Sequence, residues 1–167
     1  MSNSNFNWYL KNKYNPAQDW YRNGGKNWIK QYINNYDWVI KNYDLINLGI
    51  YRVTLNNVTA YVGESVKVSN RLVVHAWHLA NEPEKYYGVL PDEIKNNIVQ
   101  INMECIEVGI HSKSDRKQKE FEYIKKLNPF TQMKNLNDSY ISKDNKRYDS
   151  CISKVYRRNV ARKILSL

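Results

Sequence analysis

The chain has 167 residues, enough for one domain with a sizeable core, and its 26 lysines and arginines against 16 acidic residues give a formal net charge of +10. No apolar run approaches the roughly 20 residues of a membrane span, and the first residues show no secretory leader pattern. We therefore exclude a membrane-spanning protein and expect a cytoplasmic one with a polyanionic partner, nucleic acid before an anionic membrane. Cys105 and Cys151 form no CxxC pair, and we interpret them as reduced thiols.

The N-terminal residues 1–47 form a predicted helical extension that is rich in Trp and Tyr. Its parts are an irregular arm over residues 1–16, a helical turn over 19–22 that Gly24-Gly25 ends, and a helix over 27–41. The helix carries apolar residues at helical spacing, namely Trp28, Ile29, Tyr32, Ile33, Tyr36, Val39 and Ile40. We interpret this stripe as core that covers a sheet. The alternative is an aromatic and basic surface that contacts nucleic acid.

Two short runs of alternating apolar residues follow, and Asn56-Asn57 joins them. The alternation is typical of strands, which we predict over residues 48–55 and 59–64. Asparagine tolerates the positive φ that a two-residue hairpin turn requires. The sequence therefore predicts a β-hairpin.

A helix is predicted over residues 66–79, with Ser65 as its N-cap. Its apolar stripe consists of Val66, Leu72, Val73, Ala76 and Leu79. Arg71 and His75 are spaced i and i+4, so they share one helix face.

The next segments predict a loose stretch and then a strand. Residues 81–97 contain one helical turn after Pro91, and because long loops are often functional we hypothesise a DNA-contacting insertion there. Residues 98–110 alternate and predict a strand with a β-bulge where the apolar parity switches.

The last segments are predicted to be helical. A helix over residues 116–127 has Ser114 or Asp115 as its cap and turns Phe121 and Ile124 toward the core. The final part, residues 133–167, is a basic extension with a helix over 148–165. That helix is interpreted either as a capping helix with a solvated basic face or as a phosphate-contacting surface.

The hairpin and the helix after it resemble the GIY-YIG nuclease superfamily. The matching residues are Gly49-Ile50-Tyr51, Tyr61-Val62-Gly63, Arg71 and His75. The family also carries a late helix glutamate followed at fixed offsets by an apolar residue, a proline and often an asparagine. The residues at those offsets are Glu120, Ile124, Pro129 and Gln132. Gln132 departs from the usual asparagine but keeps an amide.

The resemblance covers residues 48–132 and implies an α/β fold of the α+β type. We expect a small three-stranded, mainly antiparallel sheet flanked by helices, with residues 1–47 and 133–167 as helical extensions packed into the same domain. The implied activity is a metal-dependent endonuclease that hydrolyses DNA phosphodiester bonds at a single-metal site. The family implies restriction, phage or mobile-element roles for such an enzyme.

The resemblance also implies a role for each site residue. Glu120 would hold Mg²⁺, for which Mn²⁺ would substitute, and Arg71 would present its donor fork to the scissile phosphate. Tyr51 would act as general base or water-positioner, with Tyr61 in the same network. His75 would either accept a proton from Tyr51 or contact the phosphate. The supporting or substrate-binding residues are Gly49, Gly63 and Gln132.

Two other functions remain open at this stage. One is a nucleic-acid-binding module that keeps the scaffold without cutting, and the other is a nuclease directed at RNA. Each site residue also has a plain structural interpretation, and Glu122 competes with Glu120 for the metal from a different helix face. A monomer would nick DNA, and a homodimer would cut both strands.

Overall fold

The computed structural model describes residues 15–132 and 153–167. At its centre lies an antiparallel sheet of three strands, β1 (Gly49–Leu55), β2 (Val58–Ser65) and β3 (Ile101–Val108). The strand order is β2-β1-β3, so β1 is central and β2 forms one edge. Together with the flanking helices, this sheet confirms the predicted α+β class.

The hairpin turn between β1 and β2 is also confirmed. Asn56 and Asn57 have φ values of 49° and 64°, so both occupy the left-handed region. Two successive positive φ values are what a type I′ turn needs, and its twist matches that of the flanking strands.

Each face of the sheet carries its own apolar cluster, because successive strand residues point to opposite sides. Tyr51 and Val53 of β1 belong to the larger cluster, whereas Ile50 belongs to the smaller one. Helix α4 (Val68–Asn81) covers the larger cluster. Helices α1 to α3 precede the sheet in sequence and are described below. The residues of its buried stripe are Val68, Leu72, Val73, Ala76 and Leu79.

The N-terminal region is divided into more pieces than predicted. Its elements are α1 (Pro16–Trp20), a kinked segment (Tyr21–Gly25), α2 (Lys26–Tyr32) and α3 (Tyr36–Lys41). Ile33 is extended and bridges to Ile101, and the N–H of Asn34 donates to the Ile101 carbonyl at 2.9 Å. The single helix predicted over residues 27–41 is therefore wrong, because this contact with the third strand interrupts it.

The aromatic residues of this region pack against the larger cluster, which confirms their interpretation as core. Gly24 has a φ of 117° and interrupts the helical geometry, but α2 begins directly after Gly25. The predicted stop at these glycines is therefore a kink. The irregular arm predicted over residues 1–16 falls almost entirely outside the described residues.

Helix α4 begins two residues later than predicted. The Ser65 hydroxyl accepts a hydrogen bond from the Lys67 N–H at 3.0 Å instead of capping a helix that starts at residue 66. Val66 is consequently outside the helix and 44% exposed, which corrects its place in the apolar stripe.

The stretch predicted to be loose contains two short helices, α5 (Pro83–Tyr87) and α6 (Pro91–Lys95). The helical turn after Pro91 is therefore confirmed. In β3, Glu107 pairs with Ile50 while Cys105 pairs with Tyr51, so Ile106 is an extra residue. This is the predicted β-bulge.

Helix α7 (Lys113–Leu127) covers the smaller cluster, where Ile124 packs with Ile50 and Val62. Its N-cap is Ser112, whose hydroxyl accepts from the Asp115 N–H at 3.0 Å, rather than Ser114 or Asp115. Phe121 was expected in the core but is 42% exposed.

The last helix, α8 (Ser153–Leu165), packs on α5, and its Ala161 is fully buried. Arg158 of this helix has a structural role, because its guanidinium donates two hydrogen bonds to the Glu93 carboxylate, at 2.6 and 3.1 Å. The start of the predicted helix, residues 148–152, lies outside the described residues and includes Cys151. No helix in the described part of the chain has the length and apolarity to cross a membrane.

Candidate active site

The two motif tyrosines lie side by side on the face of the sheet that α4 covers. Tyr51 is in β1 and Tyr61 is in β2, and their two rings are stacked with centroids 6.2 Å apart. Gly63 pairs with Tyr51 across the two strands. A Cβ atom at Gly63 would lie 2.3 Å from the Tyr51 hydroxyl oxygen, so glycine at this position makes room for the phenol.

His75 connects the phenols to α4. It is buried, its Nε2 lies 3.2 Å from the Tyr51 hydroxyl, and its ring centroid lies 4.3 Å from that of Tyr61. Burial lowers the pKa of His75 well below its usual value, and the charge of Arg71 lowers it further. His75 is therefore a neutral imidazole that contacts a phenol directly.

Arg71 lies one helical turn before His75 and is exposed at the edge of the same group. Burial raises the pKa of Tyr51 well above its usual value, Tyr61 raises it further, and Arg71 opposes this rise. The pKa of Arg71 is raised in turn, first by Tyr51. The guanidinium therefore lies close enough to favour negative charge on the phenol.

Glu120 lies on α7, which packs on the other face of the sheet, and its side chain is only 15% exposed. Burial raises the pKa of Glu120, while the charges of Lys117 and Arg71 lower it. The Glu120 carboxylate also raises the pKa of Tyr61, second only to burial. The structure thus brings the carboxylate into electrostatic range of the guanidinium and the phenols.

A second carboxylate, Glu64 at the end of β2, lies beside Glu120. The Lys117 ammonium is 3.1 Å from Glu120 and 3.3 Å from Glu64, so one cation joins both carboxylates. Arg116 also binds Glu64, at 3.0 Å. Glu122 is instead 53% exposed and paired with Lys119, on the outer surface of α7.

The remaining predicted positions line the strands rather than the phenols. The amide of Gln132 accepts from the Val62 N–H at 2.8 Å and donates to the Val62 carbonyl at 3.0 Å, which continues the ladder at the free edge of β2. At Gly49, an added Cβ would lie 2.2 Å from the Glu107 carbonyl oxygen, so this glycine permits close approach of β3.

Sequence reasoning missed three participants, Glu64, Lys117 and Tyr87. Tyr87 is buried, and its hydroxyl lies 2.6 Å from His75 Nδ1. Lys117 gave one available signal, because it precedes Glu120 by three residues and shares its helix face. Nothing in the local sequence pairs Tyr87 with His75, since a short helix and a tight turn place it there.

No family model matches the sequence, and neither the curated proteins nor the solved structures provide a match. Within residues 15–132 and 153–167, no three His, Cys, Asp or Glu side chains form a metal-binding group. The candidate site offers a neutral imidazole, two protonated phenols, an exposed guanidinium and two carboxylates around one ammonium.

Proposed function

We propose that the protein is a GIY-YIG-type endonuclease that uses a divalent metal ion to hydrolyse DNA phosphodiester bonds. The observation that carries the proposal is the common electrostatic environment of Arg71, Glu120, Tyr51 and Tyr61, which come from four separate elements. Hydrolysis of a phosphodiester needs a placed water, a cation against the developing charge and a donor to the phosphate. These four residues supply groups suited to each task.

Glu120 is the residue that would hold the metal ion. Its carboxylate is a hard oxygen ligand of the kind Mg²⁺ prefers, and it already accepts a cation, the Lys117 ammonium at 3.1 Å. Its neighbour Glu64 strengthens the local preference for positive charge. The donor set therefore fits a single Mg²⁺ whose other ligands are water and phosphate oxygens. When bound, the ion stabilises negative charge that develops on the phosphate.

Arg71 and the phenols would handle the substrate and the water. Arg71 is exposed, so its guanidinium is accessible to a phosphate oxygen and suited to bidentate binding. Tyr51 is protonated in the free protein, because burial raises its pKa. Once positive charge nearby favours the phenolate, Tyr51 would first release its own proton to solvent, and the phenolate would then position the attacking water and take up its proton. Two roles are open for His75, proton acceptance from Tyr51 and contact with the phosphate, and its burial against Tyr51 disfavours the phosphate contact.

DNA is the proposed substrate because of the net charge of +10 and the family resemblance. The phosphate chemistry itself does not distinguish DNA from RNA, so parallel assays on both nucleic acids belong to the test. RNA cleavage without DNA cleavage would replace the substrate class and leave the hydrolytic site in place.

Plasmid cleavage with Mg²⁺ by four proteins tests this proposal. We expect wild type and Glu122→Ala to cut, because Glu122 pairs with Lys119 on the outer surface. Glu120→Ala should lose cleavage, and Arg71→Ala should lose turnover while it still binds DNA. Robust cutting by Glu120→Ala would refute the metal assignment. Loss of binding alone in Arg71→Ala would place this residue outside the catalytic step.

A further inference from the structure

His75 is held on both sides of its ring by buried phenols. Its Nε2 lies 3.2 Å from the Tyr51 hydroxyl, and its Nδ1 lies 2.6 Å from the Tyr87 hydroxyl. Tyr51 and Tyr87 are each only 1% exposed, and His75 is 7% exposed. The three side chains therefore form a hydrogen-bonded chain that is shielded from bulk water.

The position of Tyr87 is fixed by elements far from it in sequence. Tyr87 ends α5, and Gly88 turns the chain with a φ of 69°. An added Cβ at Gly88 would lie 2.2 Å from the Arg157 carbonyl oxygen, so α8 packs directly on this turn. Arg158 also donates to the Gly88 carbonyl at 3.1 Å while its guanidinium forks onto Glu93. The C-terminal helix thus holds the turn that aims the Tyr87 hydroxyl.

A neutral imidazole with two hydroxyl partners has two hydrogen-bonding arrangements. In one, Nδ1–H donates to Tyr87 and the Tyr51 hydroxyl donates to Nε2. In the other, the Tyr87 hydroxyl donates to Nδ1, and Nε2–H donates to the Tyr51 oxygen. Hydroxyl donors form shorter hydrogen bonds than N–H donors do. The 2.6 Å distance to Tyr87 and the 3.2 Å distance to Tyr51 favour the second arrangement.

We propose that Tyr87 is a positioning residue whose hydroxyl donates to Nδ1 and so fixes His75 as the Nε2–H tautomer, which donates to the Tyr51 oxygen. The value of this donation for catalysis rests on the proposed nuclease function. In that function, Tyr87 would act through His75 to support negative charge on Tyr51. Arg71 would support the same oxygen.

The surroundings of His75 agree with a donor that does not take up a proton. Burial and the charge of Arg71 keep the pKa of His75 well below its usual value, so a second N–H proton on the ring is disfavoured. Among the described residues, five titratable or charged groups face the ring or act on its charge. They are Tyr51 from β1, Tyr61 from β2, Arg71 and His78 from α4, and Tyr87 from α5. Glu120 from α7 acts indirectly, through its effect on Tyr51.

Nitrogen-15 NMR of protein labelled at histidine reads the tautomer directly at pH 7.5. The chain has 3 histidines, so a His75→Gln variant assigns the relevant signals. We expect wild type to show a protonated Nε2 and an unprotonated, hydrogen-bonded Nδ1. Wild type in the Nδ1–H form would overturn the proposal.

Tyr87→Phe removes the hydroxyl and keeps the ring, and Tyr86→Phe is its matched control. Tyr86 stacks on His78, with centroids 3.7 Å apart. We expect Tyr87→Phe to shift His75 to a mixture of tautomers and Tyr86→Phe to leave it unchanged. An unaltered tautomer in folded Tyr87→Phe would overturn the proposal. In cleavage assays, kcat of Tyr87→Phe should fall by about tenfold at constant KM, by analogy with the loss when the orienting partner of a metal-ligating histidine is removed. Absence of cleavage by wild type would refute the nuclease function, and the NMR result would still decide what Tyr87 does.

Discussion

Gly63→Ala gives the sharpest test of how the strands make room for the phenol. The new Cβ would lie 2.3 Å from the Tyr51 hydroxyl oxygen, 2.4 Å from Cζ and 2.9 Å from Cε1. An ordinary contact begins at 3.4 Å, so the ring must move by 3.4 − 2.3, or about 1.1 Å. Tyr51 is 1% exposed and hydrogen-bonded to His75, so its ring has little space for this shift.

We expect Gly63→Ala to lower the free energy of unfolding by about 1–3 kcal/mol, the usual cost of overpacking a buried site. Urea denaturation measures this change in wild type and in a Tyr51→Ala background. In that background the crowded ring is absent, so the same substitution should cost close to zero. A displacement of about 1 Å should also lower cleavage by about 100-fold. Equal destabilisation in both backgrounds would refute the crowding argument.

Two further predictions concern other parts of the site. The pKa of His75 is lower in the folded protein than in the unfolded chain. As the pH drops below 6.5, the unfolded chain therefore binds a proton at this histidine before the folded protein does. The free energy of unfolding of wild type should consequently fall by about 1 kcal/mol between pH 6.5 and 5.5. In urea titrations, His75→Gln should not show this loss of stability at low pH, whereas His111→Gln, at an exposed position, should still show it. Parallel pH dependence of the free energy of unfolding in all three proteins would contradict the attribution to His75. Gln132→Ala should lower stability by about 1–3 kcal/mol, because both Val62 backbone groups lose their partners. Gln118→Ala, on the exposed surface of α7, should change it by less than about 0.5 kcal/mol, and a similar loss in both variants would count against an edge role for Gln132.

The parts of the fold that the sequence predicted correctly are those that local rules decide. Asn56 and Asn57 specify their turn through their tolerance of positive φ, and alternation fixes the flanking strands. The i, i+4 spacing placed Arg71 and His75 on one face of α4. Their different exposure was not predictable, because it depends on where the sheet ends beneath the helix.

The errors came from contacts between residues far apart in sequence. Ile33 leaves its helix because it bridges to Ile101, and no local pattern predicts that contact. Phe121 has the spacing of a core residue, but the smaller cluster is filled by other side chains and leaves it exposed. Tyr87 escaped notice for the same reason, since α8 and the Gly88 turn set its direction.

The candidate site itself was only partly readable. The family pattern supplied Tyr51 and Glu120, and the structure places the Glu120 carboxylate within electrostatic range of the Tyr51 phenol. It could not supply Lys117 and Glu64, which surround the carboxylate and determine its charge balance in the free protein. Ordinary lysines and glutamates on helix and strand surfaces look alike until the fold places them together.

Incubation of supercoiled plasmid with purified protein, with Mg²⁺ and with a chelator, tests whether this protein is a metal-dependent nuclease. We expect nicked or linear plasmid with Mg²⁺ in wild type, none with the chelator, and none in Tyr51→Phe. Intact plasmid and intact RNA under every divalent-metal condition, from a folded protein that binds nucleic acid, would contradict it.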